Sequence, residues 1–520
     1  MRAQLALLAA VVLLVGCSSG SDETAAAPSS SDLPPNEVAA VPLPGDGVDI
    51  AVSKLDDLVK GIMDRTGIPG IAVSVVHDGK VVYAKGFGVK DNRGDDPVDA
   101  DTVFQIASFS KSISATVVAH EVSEGKITWA TPVAQLVPSV RLADPWVSDH
   151  VTVGDFFSHR SGLPGAAGDL LEDLGYDRQY IFEHLRLLPL NPFRITYAYA
   201  NFGLTAGAEA AASAAGTDWA TLADEAIYKP LGMASTSSRY ADFEKRPNRA
   251  VLHMYDDGKF VPMILRDPDQ QAPAGGVSSS VNDLARWMQL VLADGTYEGK
   301  QIFKPESLLP AVTPEMVSSR AKNLDERSSF YGFGFNTGIS SSGRTTLNHS
   351  GAFVSGASTT FTLIPSANVG IAVLTNGAPI GVPETINASF GDLVQFGEIR
   401  EDWENYLTKA LAPLTAPVGS LAGEPRPTDP NPAKPLTDYV GSYANDYWGA
   451  ATISEKDGNL VLALGPGGRT FPLTHWDGDT FTFTLLDENA PPGTISKATF
   501  TDNRLNLEYY DGDGLGTFVR

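Results

Sequence analysis

Two kinds of apolar pattern organise the first half of the chain. Ile71–Val76 is an almost unbroken run of branched and small apolar residues, followed by His77-Asp78-Gly79 and then Lys80–Ala84, which predicts a β-hairpin closed by the Asp-Gly turn. Further on, apolar residues recur at Ala115, Val118, Ala119 and Val122, an i, i+3, i+4, i+7 stripe. That spacing predicts an amphipathic helix beginning near Ser108 and stopping at Gly125. The Ala/Gly-rich run Leu204–Ala215 predicts a second helix, and Ser358–Leu363 and Val369–Thr375 predict strands. Together they give an α/β (α+β) domain: an antiparallel sheet of five or more strands flanked by helices, with a mostly helical subdomain.

A different texture follows Leu411. Pro413, Pro417, Pro425, Pro427, Pro430, Pro432 and Pro435 interrupt any regular element, so 411–436 reads as a linker. Beyond it, Thr452–Ser454, Asn459–Leu464, Thr470–Leu473, Thr480–Leu485, Lys497–Thr501 and Arg504–Tyr509 are short strand-like segments, with turns at Asp457-Gly458 and Asp477-Gly478. This density predicts a small antiparallel β-barrel or sandwich over 437–520, a structural lid or partner surface with Trp448 and Trp476 in its core. At the other end, Arg2, the apolar stretch Leu5–Val15 and Leu14-Val15-Gly16-Cys17 read as an export signal with a lipoprotein processing site. Cleavage before Cys17 and lipidation of its sulfur would leave the protein anchored outside the cytoplasm on the bacterial cell envelope. The expected order is therefore 1–17 signal, 18–48 flexible tether, 49–410 main domain, 411–436 linker and 437–520 C-terminal β domain.

Composition narrows the function. With 520 residues, 43% of them hydrophobic, the chain is long enough for one large domain and one small one. A net charge of −24 argues against nucleic acid as a partner. No later apolar run spans a membrane, and the single cysteine is Cys17, so the mature chain is held by its core without a disulfide. The eight histidines show no metal-binding spacing, and neither a metal nor a cofactor is expected.

The candidate chemistry starts at Ser108-Phe109-Ser110-Lys111. An alcohol needs a base to become a nucleophile, and a lysine one helical turn away can be that base once it is desolvated. Ser319-Arg320-Ala321-Lys322 repeats the spacing, but within a charged stretch that reads as surface. Tyr199-Ala200-Asn201 offers a phenol to relay protons and an amide to orient Lys111 or the substrate; Tyr443-Ala444-Asn445 repeats it in the β domain. His349-Ser350-Gly351-Ala352 sets a glycine beside a possible oxyanion donor, the Ala352 N–H, which would act with the N–H of Ser108. Ser158-His159-Arg160-Ser161-Gly162 invites a Ser-His-Asp reading but fits a turn better, with the imidazole satisfying a carbonyl.

The ordered set Ser108-x-x-Lys111, Tyr199-x-Asn201, His349-x-Gly351 resembles the serine β-lactamase and penicillin-binding-protein superfamily, within it the class C β-lactamase, DD-peptidase and esterase branch. Ile68-Pro69-Gly70, Ser158–Pro164 and Ala274–Ser279 extend the similarity over about residues 50 to 400, and the C-terminal strands resemble a lipocalin-like module. The resemblance implies an acyl-enzyme mechanism: Ser108 as nucleophile, Lys111 as its base, Tyr199 as proton shuttle, and Asn201, His349, Gly351 and Ala352 as substrate-binding positions. It also implies a cleft between sheet and helical subdomain. Where penicillin-recognising relatives carry Lys-Thr-Gly, this chain has His349-Ser350-Gly351. A histidine is largely neutral at pH 7, and losing a charged hydrogen bond to a substrate carboxylate costs roughly 1.5–3 kcal/mol. The expected activity is therefore hydrolysis of a small-molecule ester, an amide or a cell-wall peptide. β-Lactamase or DD-carboxypeptidase action, or a quiet binding role on the same fold, are the alternatives. The segments Gly165–Arg186 and Tyr240–Pro273 read as cleft loops without a recognisable pocket code.

Overall fold

A computed structural model describes residues 41–520. The expected signal, the lipidation site Cys17 and most of the tether lie outside the described residues. An eight-stranded antiparallel sheet forms the scaffold, in the spatial order Lys80–Gly88, Gly70–His77, Val369–Thr375, Ala357–Ile364, Thr345–Phe353, Asn336–Ile339, Ser329–Tyr331 and Met316–Ser319. The hairpin forms as expected, with Asp78 and Gly79 both at positive φ in its turn.

Both faces of this sheet are covered, which is why its central strands are buried at nearly every position. Along Gly70–His77, Ile71, Val73 and Val75 meet the helices Gly47–Thr66 and Val382–Phe396 through Leu55, Val59, Ile386 and Phe390. The alternate residues Ala72 and Val76 join the opposite core, where the helix Val281–Leu292 brings Trp287 against Phe109 and Phe361.

The helix behind Ser108 is buried, and more completely than its apolar stripe implies. It runs Ser110–Ser123 and is buried nearly all round, not on one stripe, because it passes between the sheet and the helical subdomain. Its small polar residues serve as fasteners: Ser112 Oγ donates to the Gly334 carbonyl at 2.6 Å, Ser114 Oγ to the Pro273 carbonyl at 2.7 Å, and Ser110 Oγ accepts the Val277 N–H at 3.1 Å. Apolar periodicity alone could not reveal a helix whose polar face is also inside.

The C-terminal domain is a nine-stranded antiparallel sheet from Gly441–Asn445 to Thr517–Val519. Its two edges, Arg469–Pro472 and Thr474–Asp477, are consecutive in the chain, so the sheet curls nearly closed. Trp448 sits in the core against Tyr447 and Tyr510, whereas Trp476 is only half-buried, on an edge strand. Tyr443-Ala444-Asn445 forms the first strand, remote in role from any cleft, and Ser319 ends the outermost strand of the main sheet. Neither duplicate motif joins the site.

Candidate active site

Ser108 occupies a single 3₁₀ turn, Ala107–Phe109, immediately before the buried helix. Ala107 has φ +47°, a left-handed conformation that costs a non-glycine residue about 1 kcal/mol and turns the chain sharply at the serine. The turn is pinned by Phe109, fully buried against Trp287 and Phe361, and by Thr359 Oγ1, which donates to the Ile106 carbonyl at 2.7 Å.

Lys111 then lies one turn away with no solvent exposure. Its Nζ is 2.9 Å from Ser108 Oγ, 2.7 Å from Asn201 Oδ1 and 2.8 Å from the Ala274 carbonyl, and sits 4.6 Å from the centre of the Tyr199 ring. Burial pushes the amine down to about 7, against an opposing pull from the Asp169 charge. Burial also drives the Tyr199 phenol well above its ordinary value, more strongly than its contact with the Ser108 hydroxyl lowers it. The phenol is therefore protonated at rest, and the free base of the site is the amine.

The segment carrying Tyr199 and Asn201 is held from behind. Asp155, buried, receives Arg160 at 2.8 Å and Arg194 at 2.8 Å, tying the turn after Phe157 to the segment that leads into the motif. His159, itself at φ +56°, accepts the Ala200 N–H through Nδ1 at 3.2 Å, and its ring lies 4.4 Å from that of Tyr199. The imidazole thus holds a backbone N–H, not the carbonyl the sequence suggested, and burial keeps it neutral. Asn201 passes the arrangement on, donating through Nδ2 to Asp169 Oδ2 at 2.9 Å.

The third motif lies on the strand Thr345–Phe353. Its neighbour Asn336–Ile339 pairs it only as far as Asn348, so the half from His349 onward leaves one edge open toward Ser108. A Cβ at Gly351 would stand 2.1 Å from the Ile106 carbonyl oxygen and 2.9 Å from the Phe109 nitrogen, so only glycine lets this edge approach the nucleophile turn. His349 turns away from the cleft. Its Nδ1 donates to the Ser350 carbonyl at 2.7 Å and its Nε2 accepts from the Tyr331 hydroxyl at 2.8 Å. Burial first, and then Lys111, hold it down to about 3, so it is neutral.

These elements enclose a cavity of about 330 Å³. Of the residues singled out in the sequence, Ser108, Tyr199, Asn201 and Ala352 line it; Lys111 is buried behind Ser108, and His349 and Gly351 lie behind the strand edge. Sequence reasoning missed Asp169, Arg266 and Gln271 on the wall, and Tyr331 behind it. Asp169 opens the short helix Asp169–Asp173 inside Gly165–Arg186, which also holds the helix Arg178–His184 and so is not a plain loop. It also missed Glu488 and Asn489, which reach the cavity from the C-terminal domain.

Comparison with known proteins bears on the family and the fold. The Beta-lactamase family model matches residues 55–395, and a domain of unknown function (DUF3471) matches 425–508. The chain is 25% identical over 461 residues to the unguisins hydrolase ungD of Aspergillus violaceofuscus, covering 80% of each chain. It is 24% identical over 238 residues to a beta-lactamase of Pseudomonas fluorescens, covering 45% of this chain and 63% of the relative. The octameric penicillin-binding protein homologue from Pyrococcus abyssi shares the fold, with a TM-score of 0.59 and 22% identity over 90% of this chain and 100% of that one.

Proposed function

Because the chain belongs to the beta-lactamase family and is a serine hydrolase of that kind, we propose that it cleaves an ester or amide through an acyl-enzyme on Ser108. The observation that carries this reading is the Lys111 amine, fully buried, 2.9 Å from Ser108 Oγ and brought down to about 7. Above that pH the neutral amine takes the serine proton as Oγ bonds to the substrate carbonyl carbon. The carbonyl oxygen, now an anion, is held by the N–H groups of Ser108 and Ala352. The bond to the leaving group then breaks, and the leaving group departs with a proton supplied by the Tyr199 phenol, which is made good from Lys111. A water attacks the acyl group by the same route in reverse. Asn201 holds the amine in place, while Gly351 sets the distance between the strand edge and the nucleophile.

The substrate reading follows from His349. With one ring nitrogen donating to a carbonyl and the other accepting from a phenol, it offers no cation where Lys-Thr-Gly relatives have one. Esters, or peptides recognised other than by a free carboxylate, fit this wall better than β-lactams do. The site is placed on the outer side of the cell envelope, tethered through a lipid on Cys17, on the strength of the Leu14–Cys17 sequence. A fluorophosphonate probe tests the enzyme reading: wild type should label and Ser108→Ala should not. A screen of short-chain esters against nitrocefin tests the substrate reading, with ester turnover expected to exceed nitrocefin turnover.

A further inference from the structure

The Ser108 cavity keeps hydrogen-bond acceptors that the protein itself does not fill. Asn201 is engaged at both ends of its amide, accepting from Lys111 Nζ through Oδ1 at 2.7 Å and donating through Nδ2 to Asp169 Oδ2 at 2.9 Å, so its carbonyl is not free for a substrate. Asp169 lines the cavity at 6% exposure, and its buried Oδ1 has no hydrogen-bond partner among the described residues. A buried carboxyl oxygen left in that state is costly, which marks a place for a donor. Gln271, on the same cavity, gives its Nε2 to Glu172 Oε2 at 2.5 Å, which leaves Oε1 as the unspent end of its amide.

The groups around Asp169 set when it can accept. Burial first, and then the Glu172 charge, raise its carboxyl to about 7; Asp173 pushes the same way, while the Asn201 contact and Lys111 pull it down. The Tyr199 and Tyr447 phenols also feel its charge. On the same cavity Glu488 is raised by burial to about 7 as well, and Arg266 is held by Glu172 at 2.5 Å. Below about 7 Asp169 carries a proton, and because Oδ2 receives Asn201 that proton belongs on Oδ1; above it, Oδ1 is an acceptor. Arg266 Nε, also buried, lacks a partner among the described residues, so a donor stands with the two acceptors. A secondary amide answers both kinds, through its N–H and its carbonyl. A plain alkyl chain answers neither.

Resting on the acyl-enzyme reading above, we propose that Asp169, with Gln271 beside it, is a specificity-determining residue that accepts an N–H from the acyl portion of the substrate. Acyl groups that carry an amide, as in a peptide, are thereby selected over plain alkyl ones.

The test uses phenyl esters of N-acetylglycine, N-acetylsarcosine and 4-oxopentanoic acid on the full mature chain, because they differ only in carrying N–H, N-methyl or CH2 at one position. With each kcat/KM divided by the rate constant for hydroxide hydrolysis, wild type at pH 8 should favour the N–H ester over the other two by tenfold or more, the low end for a hydrogen bond to a charged acceptor. At pH 5.5, where Asp169 holds its proton, that ratio should fall toward one. Asp169→Asn, which turns its carbonyl to Asn201 and an NH2 to the cavity, should bring the ratio near one at both pH values. Glu488→Gln, which removes the other carboxyl titrating in this range, should keep the wild-type ratio and its pH dependence. No N–H preference in wild type at pH 8, an equal ratio at pH 5.5, a ratio kept in Asp169→Asn or lost in Glu488→Gln, or failure to turn over any of the three esters by an enzyme that hydrolyses p-nitrophenyl butyrate overturns the inference. The two wild-type measurements decide it even where Asp169→Asn does not fold. A wild-type chain inert to every ester and unlabelled by fluorophosphonate overturns instead the acyl-enzyme reading on which it rests.

Discussion

The sharpest quantitative consequence concerns the Lys111 amine. An ordinary lysine near 10.5 is deprotonated to only about one part in 3,000 at pH 7, whereas at about 7 half of it is free base. The roughly 1,500-fold gain in available base is worth about 4 kcal/mol, taken from burial. If this amine activates Ser108, kcat/KM for a neutral ester such as p-nitrophenyl butyrate should rise about tenfold per pH unit up to about 7 and then level off. Asp169 confounds the profile, since burial raises it to about 7 as well. Asp169→Asn separates the two. It removes the charge that pulls the amine upward, so the limb that persists should move to lower pH. Profiles at constant ionic strength on the two proteins decide the matter. A limb near 9 or above in wild type, or its disappearance in Asp169→Asn with full activity at pH 5, would refute the reasoning. Stability carries the same signature: between about 7 and 10.5 the unfolded chain binds the Lys111 proton that the fold excludes, so stability from this group rises with pH across that window. Lys111→Met should remove that part of the slope in denaturant titrations.

Three further outcomes follow from named contacts. Gly351→Ala drives a methyl to 2.1 Å from the Ile106 oxygen, so it should cost about 2–4 kcal/mol in urea unfolding and remove most ester turnover by pushing the strand off the nucleophile turn. Tyr331→Phe strands the buried Nε2 of His349 without a donor, and should lower stability by about 1–3 kcal/mol while leaving kcat within reach of wild type; an unchanged midpoint would show that this hydrogen bond does not matter. Cys17→Ser should shift the expressed full-length protein from the detergent phase to the aqueous phase on Triton X-114 partition of cells, and continued partition into detergent would contradict lipid anchoring.

How much the sequence disclosed depended on the range of the interaction concerned. The hairpin at Ile71–Ala84 and the strand Val369–Thr375 were legible because apolar runs, turn chemistry and β-branching are local. Ser108, Lys111, Tyr199 and Asn201 were legible as ordered motifs. The fully buried character of Ser110–Ser123 was not, because its serines bond to carbonyls at Gly334 and Pro273, far away in the chain. His349 could be singled out from its place before Gly351, but not its orientation, which a phenol at Tyr331 decides. Asp169 lay in a segment without periodicity, and Glu488 in a turn of a separate domain. Nothing local to either residue marks it, because each owes its place in the cavity to tertiary docking.

The account stands on Ser108 becoming acylated. Rapid quenching of the protein with a slowly hydrolysed p-nitrophenyl ester, followed by intact mass and peptide mapping, measures this directly. The expected result is one acyl group per chain on the peptide containing Ser108, absent in Ser108→Ala and strongly reduced in Lys111→Met. An adduct on another residue, or turnover by Ser108→Ala equal to wild type, would contradict it.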